Sequence, residues 1–240
     1  MAIELAVAGP VAHVFLNRPE KANALDSPLL GELLSTLQGL SHAPAPRAVV
    51  LAGRGRTFCG GADVAELESL TATTAGRFVE RIHEVCATIR RLPVPVVARL
   101  HGAVIGAGLE IAAACDLRIA AEGTRFAMPE VRLGIPSVVE AALLPRLIGS
   151  GRAAWLVLTG EAIDARRALE WGLVEELSPE PDLALERMVK RVLAGGREAL
   201  RVQKRLLQLW EEAPLATSVA ESIRAFAGTT ISSKDGRKSN

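Results

Sequence analysis

Tyrosine is absent from this 240-residue sequence, and all aromatic residues together make up only 3% of it. Lys and Arg are dispersed along the chain, so no aromatic platform flanked by cations offers itself to a nucleic acid. Charge of either sign is not in excess: 28 basic residues face 27 acidic ones, for a net charge of +1. Such a balance exerts no general pull on nucleic acid or an anionic membrane, so any anionic ligand must be held by local groups. Cysteine is scarce. Cys59, Cys86 and Cys115 form an odd set without short metal-type spacing, and reduced thiols in a cytoplasmic setting are expected. Long apolar runs are missing too, each being broken by Pro, Gly or charge before it could span a bilayer. Met1 to Leu16 lacks a basic stretch followed by an apolar run and a small-residue cleavage site, so no signal peptide is expected there.

What is present is 49% hydrophobic residues in a length suited to one large domain, or one domain with a small appendage. Val11 to Leu16, Ala48 to Leu51 and Val96 to Leu100 are short, β-branched apolar runs bounded by turn residues and read as strands. Leu117 to Ala120 and Arg125 to Ala127 read the same way. Ser27 to Leu40 is expected to be a helix, with a Ser cap, Pro28 in the first turn, and Leu29, Leu30, Leu33, Leu34 and Leu37 on one face. Ala75 to Arg91 repeats that spacing with Phe78, Ile82, Val85 and Ile89, and Gly106 to Cys115 reads as a small, buried helix. Beyond Ser137 the pattern is helical to the end: Val138 to Ile148, Arg152 to Leu158, Ala165 to Trp171, Asp182 to Ala194, Arg197 to Trp210 and Leu215 to Ala227. The polar stretch Gly228 to Asn240 is expected to fray.

Three segments gather groups suited to chemistry. Gly53 to Val64 places glycines behind a strand, where exposed N–H groups suit an anion or a developing oxyanion, although an ordinary tight turn looks the same. It lacks the Lys-Ser/Thr of a phosphate loop. His101 to Glu110 again runs a strand into a Gly-rich helix start with free N–H donors. Glu110 is either a first-turn acid complementing the helix dipole or, given its apolar neighbours, a functional carboxylate. His101 reads as a satisfied core or loop histidine. Phe126 to Pro136 supplies Glu130, which could simply open a helix. Two half oxyanion holes together with two carboxylates are what thioester chemistry through an enolate requires.

The order of these motifs resembles the enoyl-CoA hydratase/isomerase (crotonase) family. It runs from Asn17-Arg18-Pro19-Glu20-Lys21-Ala22-Asn23-Ala24-Leu25 through Phe58-Cys59-Gly60-Gly61-Ala62-Asp63 to Gly106-Ala107-Gly108-Leu109-Glu110. Phe126-Ala127-Met128-Pro129-Glu130 follows, then Thr159-Gly160-Glu161 and Trp171-Gly172-Leu173-Val174. The resemblance covers roughly Ile3 to Leu193. It implies an α/β fold with a crotonase-like spiral core of repeated strand-strand-helix units over residues 1–190, carrying the CoA and catalytic site. Residues 191–240 would form a helical C-terminal trimerisation region with a polar tail, in a homotrimer or a dimer of trimers.

Carried over by motif, Gly60 and Ala107 match the positions whose N–H groups bind the thioester oxygen. Gly61, Ala62 and Asp63 match the loop along the pantetheine and adenine, and Arg18, Lys21 and Ala22 border the adenine and phosphates. Glu110 and Glu130 match the two acid/base glutamates of family hydratases, with water activation assigned mainly to Glu110 and α-carbon proton transfer to Glu130. The implied activity is syn hydration of a trans-2-enoyl-CoA, with no metal or cofactor beyond the CoA of the substrate, no nucleic acid and no membrane partner. The rivals are 3-enoyl to 2-enoyl isomerisation, another acyl-CoA reaction of the family, and a non-catalytic acyl-CoA or RNA-binding role. Three departures stand out. Gly60 replaces a common Ala and Ala107 a common Gly; Ser137-Val138-Val139-Glu140 replaces a Gly-rich segment near the acyl tail; and Lys234 to Lys238 does not match the family's closing helix. Glu140 has two open readings, a first-turn acid favouring a helix start or a carboxylate on the acyl-tail side that selects short or polar substrates.

Overall fold

The computed structural model describes residues 1–42 and 45–229. The chain opens with a hairpin of β1 (Ile3–Ala8) and β2 (Val11–Leu16), turned at Gly9 and Pro10. No strand is expected over β1 from the sequence, since its apolar residues Leu5 and Val7 face outward and only Ile3 is buried. Next come α1 (Ser27–Gly39), β3 (Ala48–Gly53), α2 (Val64–Ser69) and α3 (Ala72–Arg91). The cap of α1 is Asp26, whose Oδ1 accepts the Leu29 N–H at 2.9 Å; Ser27 is already inside the helix. α3 begins before its apolar stripe because Thr71 and Thr74 form a capping box.

β4 (Val96–Leu100), β5 (Ala103–Ile105) and α4 (Ala107–Ala114) follow, then β6 (Leu117–Ala121) and β7 (Arg125–Ala127). Two 3-10 turns, Glu130–Leu133 and Val139–Leu143, lead into α5 (Leu144–Ile148). The single helix expected over Val138 to Ile148 is therefore split. Val139 sits at φ 41° and Pro145 occupies the first turn of α5, and neither suits a helix interior. The remainder comprises α6 (Ser150–Thr159), β8 (Ile163–Asp164), α7 (Ala165–Trp171), β9 (Glu176–Ser178), α8 (Pro181–Leu193), α9 (Arg197–Glu212) and α10 (Leu215–Ala227). The expectation of helices alone after Ser137 is corrected by β8 and β9, which are too short to show a period.

The larger sheet has the order β1-β2-β3-β4-β6-β9, antiparallel at β1-β2 and parallel elsewhere. A smaller sheet has the order β5-β7-β8. The chain leaves the large sheet for the small one twice in the same way, from β4 to β5 and from β6 to β7, and each time a helical turn follows. This is a strand-strand-helix unit. β3 is buried on both faces, so it reads as one continuous apolar run. Val49 and Leu51 join the main core with α1 and α3, while Val50 meets Ala184, Leu185 and Met188 of α8 on the other face.

α9 is tied to this body by Lys204, which is only 4% exposed. Its ammonium donates to the Ile89 and Val94 carbonyls, each at 3.0 Å, and lies 2.8 Å from Asp116 Oδ2. Burial pulls the Lys204 pKa down, and the Asp116 charge opposes that shift. Lys204→Ala strips three partners at once. With Asp116 partly exposed, the expected loss is about 3 kcal/mol in urea unfolding, the lower end for a broken buried pair. No helix among the described residues is long and apolar enough to cross a membrane. The stretch expected to fray falls mostly on residues 230–240, outside the described residues, as does Lys234 to Lys238.

Candidate active site

The loop after β3 is shaped from within. The buried Asn23 amide donates to the carbonyls of Arg54, Thr57 and Phe58 at 2.9, 2.8 and 3.2 Å. Gly60 N–H donates to Ala22 O at 2.9 Å, so the donor expected from motif order is already used by the loop. Two residues on, Leu25 bridges the chain: its N–H donates to Gly61 O at 2.8 Å, and its carbonyl accepts from Asp63 N–H at 2.9 Å. Ala62 lies between these contacts with its own N–H turned the other way. Among the described residues no acceptor meets that N–H, and Ala62 lines the adjoining cavity. The first free donor is therefore Ala62, which corrects the expectation for Gly60.

At Ala107 too, no acceptor meets the N–H among the described residues. It is the first residue of α4, whose opening N–H groups have no partner within the helix and carry its positive end. Gly108 lets this start approach the loop, since a Cβ there would lie 2.7 Å from Cys59 Cβ. Gly106, at φ 51°, performs the same service for Glu130, whose Oε1 occupies the space a side chain would need.

Glu110 projects from the first turn of α4 and is 4% exposed. Its Oε1 accepts the Ala141 N–H at 3.2 Å. Burial, and then the charge of Glu130, push its pKa up to about 8, against the pull of the Ala141 hydrogen bond. Glu130 opens its 3-10 turn and is oriented by Ser137, whose hydroxyl donates to Oε2 at 2.8 Å. Both carboxylates line one cavity of about 550 Å³ together with Gly60, Gly61, Ala62, Gly106 and Ala107. Among the described residues they are the only charged ones in that lining. The rest is apolar apart from Thr71, and includes Leu67 of α2, Leu70 just after it, and Phe78, Val79 and Ile82 from α3.

The structure thus brings Glu110, Glu130, Ala107 and the Gly60-Gly61-Ala62 loop into one cavity. It does not bring in the other expected residues. Arg18 pairs with Asp63 at 2.7 Å and Asp26 at 2.9 Å, and donates to Ala24 O at 3.2 Å. Asp63 caps α2, accepting from the Ala65 and Glu66 N–H groups. These two residues brace the loop. Lys21 is exposed at the end of a short 3-10 turn, and Ala22 supplies the carbonyl that takes Gly60 N–H. Glu140 is buried behind the cavity wall, with Oε1 at 2.8 Å from His83 Nδ1, so it does not line the cavity as the acyl-side reading expected. Sequence reasoning missed Ala62 as a donor, Ser137 as the partner of Glu130, and the α2 part of the apolar wall. Leu67 and Leu70, three residues apart just before the Phe78 stripe, were the available signal for that wall.

A family model described as enoyl-CoA hydratase/isomerase matches residues 7–239. The short-chain-enoyl-CoA hydratase of Clostridium acetobutylicum is 32% identical over 95% of this chain and 88% of its own length. The enoyl-CoA isomerase/hydratase fer4 of Mycosarcoma maydis is 31% identical over 95% of this chain and 87% of its own length. A crystal structure of enoyl-CoA hydratase from Bacillus anthracis superposes with a TM-score of 0.91 at 32% identity, covering 95% of this chain and 91% of that one. A near-complete family match and a shared fold at this identity leave one conclusion: the chain belongs to the enoyl-CoA hydratase/isomerase family and has the crotonase fold.

Proposed function

We propose that the chain adds water reversibly to a trans-2-enoyl-CoA, giving a 3-hydroxyacyl-CoA. The observation that carries this reading is the meeting of Glu110 and Glu130 in one apolar cavity with the free N–H groups of Ala62 and Ala107. The thioester oxygen sits between the two N–H donors, which stabilise it as the enolate forms. Water sits between the two carboxylates, gives its hydroxyl to the β-carbon, and its proton passes through the pair to the α-carbon. That division needs one proton on the pair, and in the free protein burial places it on Glu110. Water activation by Glu110, as motif order implies, then requires this proton to cross to Glu130 when water binds, so the function is assigned to the pair. The reaction calls for no group beyond the thioester itself. Lys21 is retained as a CoA-phosphate contact, and the exposed apolar side chains Trp210, Leu215, Ile223 and Phe226 of α9 and α10 support assembly into a homo-oligomer.

Isomerisation of a 3-enoyl-CoA can proceed on one carboxylate, so a site that keeps two favours hydration. Comparing turnover of crotonyl-CoA with that of 3-hexenoyl-CoA tests the choice, and faster handling of the second would reject hydration as the main reaction. The raised Glu110 pKa also sets a pH dependence. Because the competent pair holds one proton, kcat/KM for hydration should fall as pH rises through about 8. A profile flat to pH 10 would show that the pair needs no proton.

A further inference from the structure

We propose that His83 and Glu140 form a positioning pair that holds Glu110 in its working geometry from behind the cavity. This inference rests on the reading of Glu110 as an acid/base group. Three consecutive residues carry it. Val139 lines the cavity at φ 41°, a backbone region that a β-branched residue adopts only when its surroundings hold it there. Ala141 donates its N–H to Glu110 Oε1 at 3.2 Å. Glu140 lies between them, and His83 Nδ1 on α3 meets its Oε1 at 2.8 Å. The other oxygen, Oε2, is buried, and the Cys86 thiol of α3 is a second side chain that bonds to this carboxylate.

A buried carboxylate held by side chains of another helix is a poor helix-start acid, because burial removes the water that would solvate it. It does fit an anchor. The link to α3 pins the 3-10 turn and, through the adjacent Ala141, the donor on Glu110. It also keeps a negative charge near Glu110, adding to the raising effect of Glu130. The groups around this charge are His83 and Cys86 from α3 and Glu110 from α4, while α5 carries the exposed Arg146. The Cys86 thiol is held well above its ordinary pKa by burial and then by Glu140 and Glu110, so it stays neutral. His83 is half exposed and is the only cation-forming group in contact with Glu140 among the described residues.

The test reads Glu110 directly, by carboxyl carbon NMR of the unliganded full chain, with Glu110→Gln identifying the signal. In Glu140→Gln the Glu110 midpoint should fall by at least about half a pH unit, because a neighbouring negative charge is gone. His83→Ala should move it upward, since Ala141, no longer pinned through Glu140, loosens the hydrogen bond that lowers it. With an enoyl-CoA substrate, His83→Ala should lose kcat by about 3- to 10-fold at nearly unchanged KM, and His83→Gln, which keeps an N–H donor, should recover most of it. His83 is exposed on α3, so its variants carry the test if Glu140→Gln folds poorly. A Glu110 midpoint unmoved in folded His83→Ala would overturn the proposal and leave the pair as a stability contact. Absence of hydration with a shifted midpoint would refute the hydratase reading and leave the positioning pair standing.

Discussion

Replacing Glu110 or Glu130 with Gln should lower the rate of crotonyl-CoA hydration by at least about 100-fold, with thioester affinity kept within a few-fold. The size follows from the site. Among the described residues the two carboxylates are the only charged groups on a cavity otherwise lined by small or apolar residues and Thr71, so no neighbouring carboxylate can replace either one in moving a proton. Near-native rates in both variants would end the acid–base mechanism. Glu110→Gln should also report on the fold. Its carboxyl is raised from 4.5 to about 8 in the folded state, so between those values the native chain binds more protons than the unfolded one. Stability then falls as pH rises through that window. The amide carries no such penalty. Glu110→Gln should therefore melt higher than the parent at pH 8, by on the order of 5 °C, with the gap shrinking toward pH 4.5. A gap independent of pH would mean that Glu110 titrates as an ordinary exposed acid.

Ala107→Pro should lower kcat by about 100- to 1,000-fold, the scale for removing one oxyanion donor. The position makes the substitution clean. Proline is tolerated in the first turn of a helix, and the Ala107 N–H has no acceptor among the described residues, so chiefly the donor is lost. Thermal melting checks that the fold survives. Gly60→Ala is the control. Its added Cβ would meet Ala22 at 3.4 Å, a tight but tolerable contact, and its N–H stays on the Ala22 carbonyl. A mild effect at Gly60 beside a severe one at Ala107 is expected when Gly60 shapes the loop and Ala62 supplies the second donor. Equal, severe losses in well-folded variants would return the donor to Gly60.

Much of the chain was legible before the structure. The bounds of α7 and α10 coincide with the expected segments, because each is a short apolar-periodic run enclosed by Asp, Gly or Pro. Glu110 and Glu130 stood out because carboxylates beside glycine and within apolar runs are unusual on a solvated surface. The family followed from motif order. These features are local in sequence, or depend on composition and spacing, and a linear reading reaches them.

What only the tertiary structure decided concerns direction. Gly60 and Ala62 lie two residues apart and both carry an N–H. Which of the two is free depends on Ala22 and Leu25, brought alongside from before α1. Glu140 had two readings, a helix-start acid or, from the place the resemblance gives it beyond Glu130, a residue on the acyl-tail side; the positive φ at Val139 instead turns it toward α3 and His83. A main-chain donor in a loop, or a side chain on a single turn, is oriented by partners distant in sequence. No periodicity records those partners, because buried polar groups are satisfied across the fold as a whole and not within one segment.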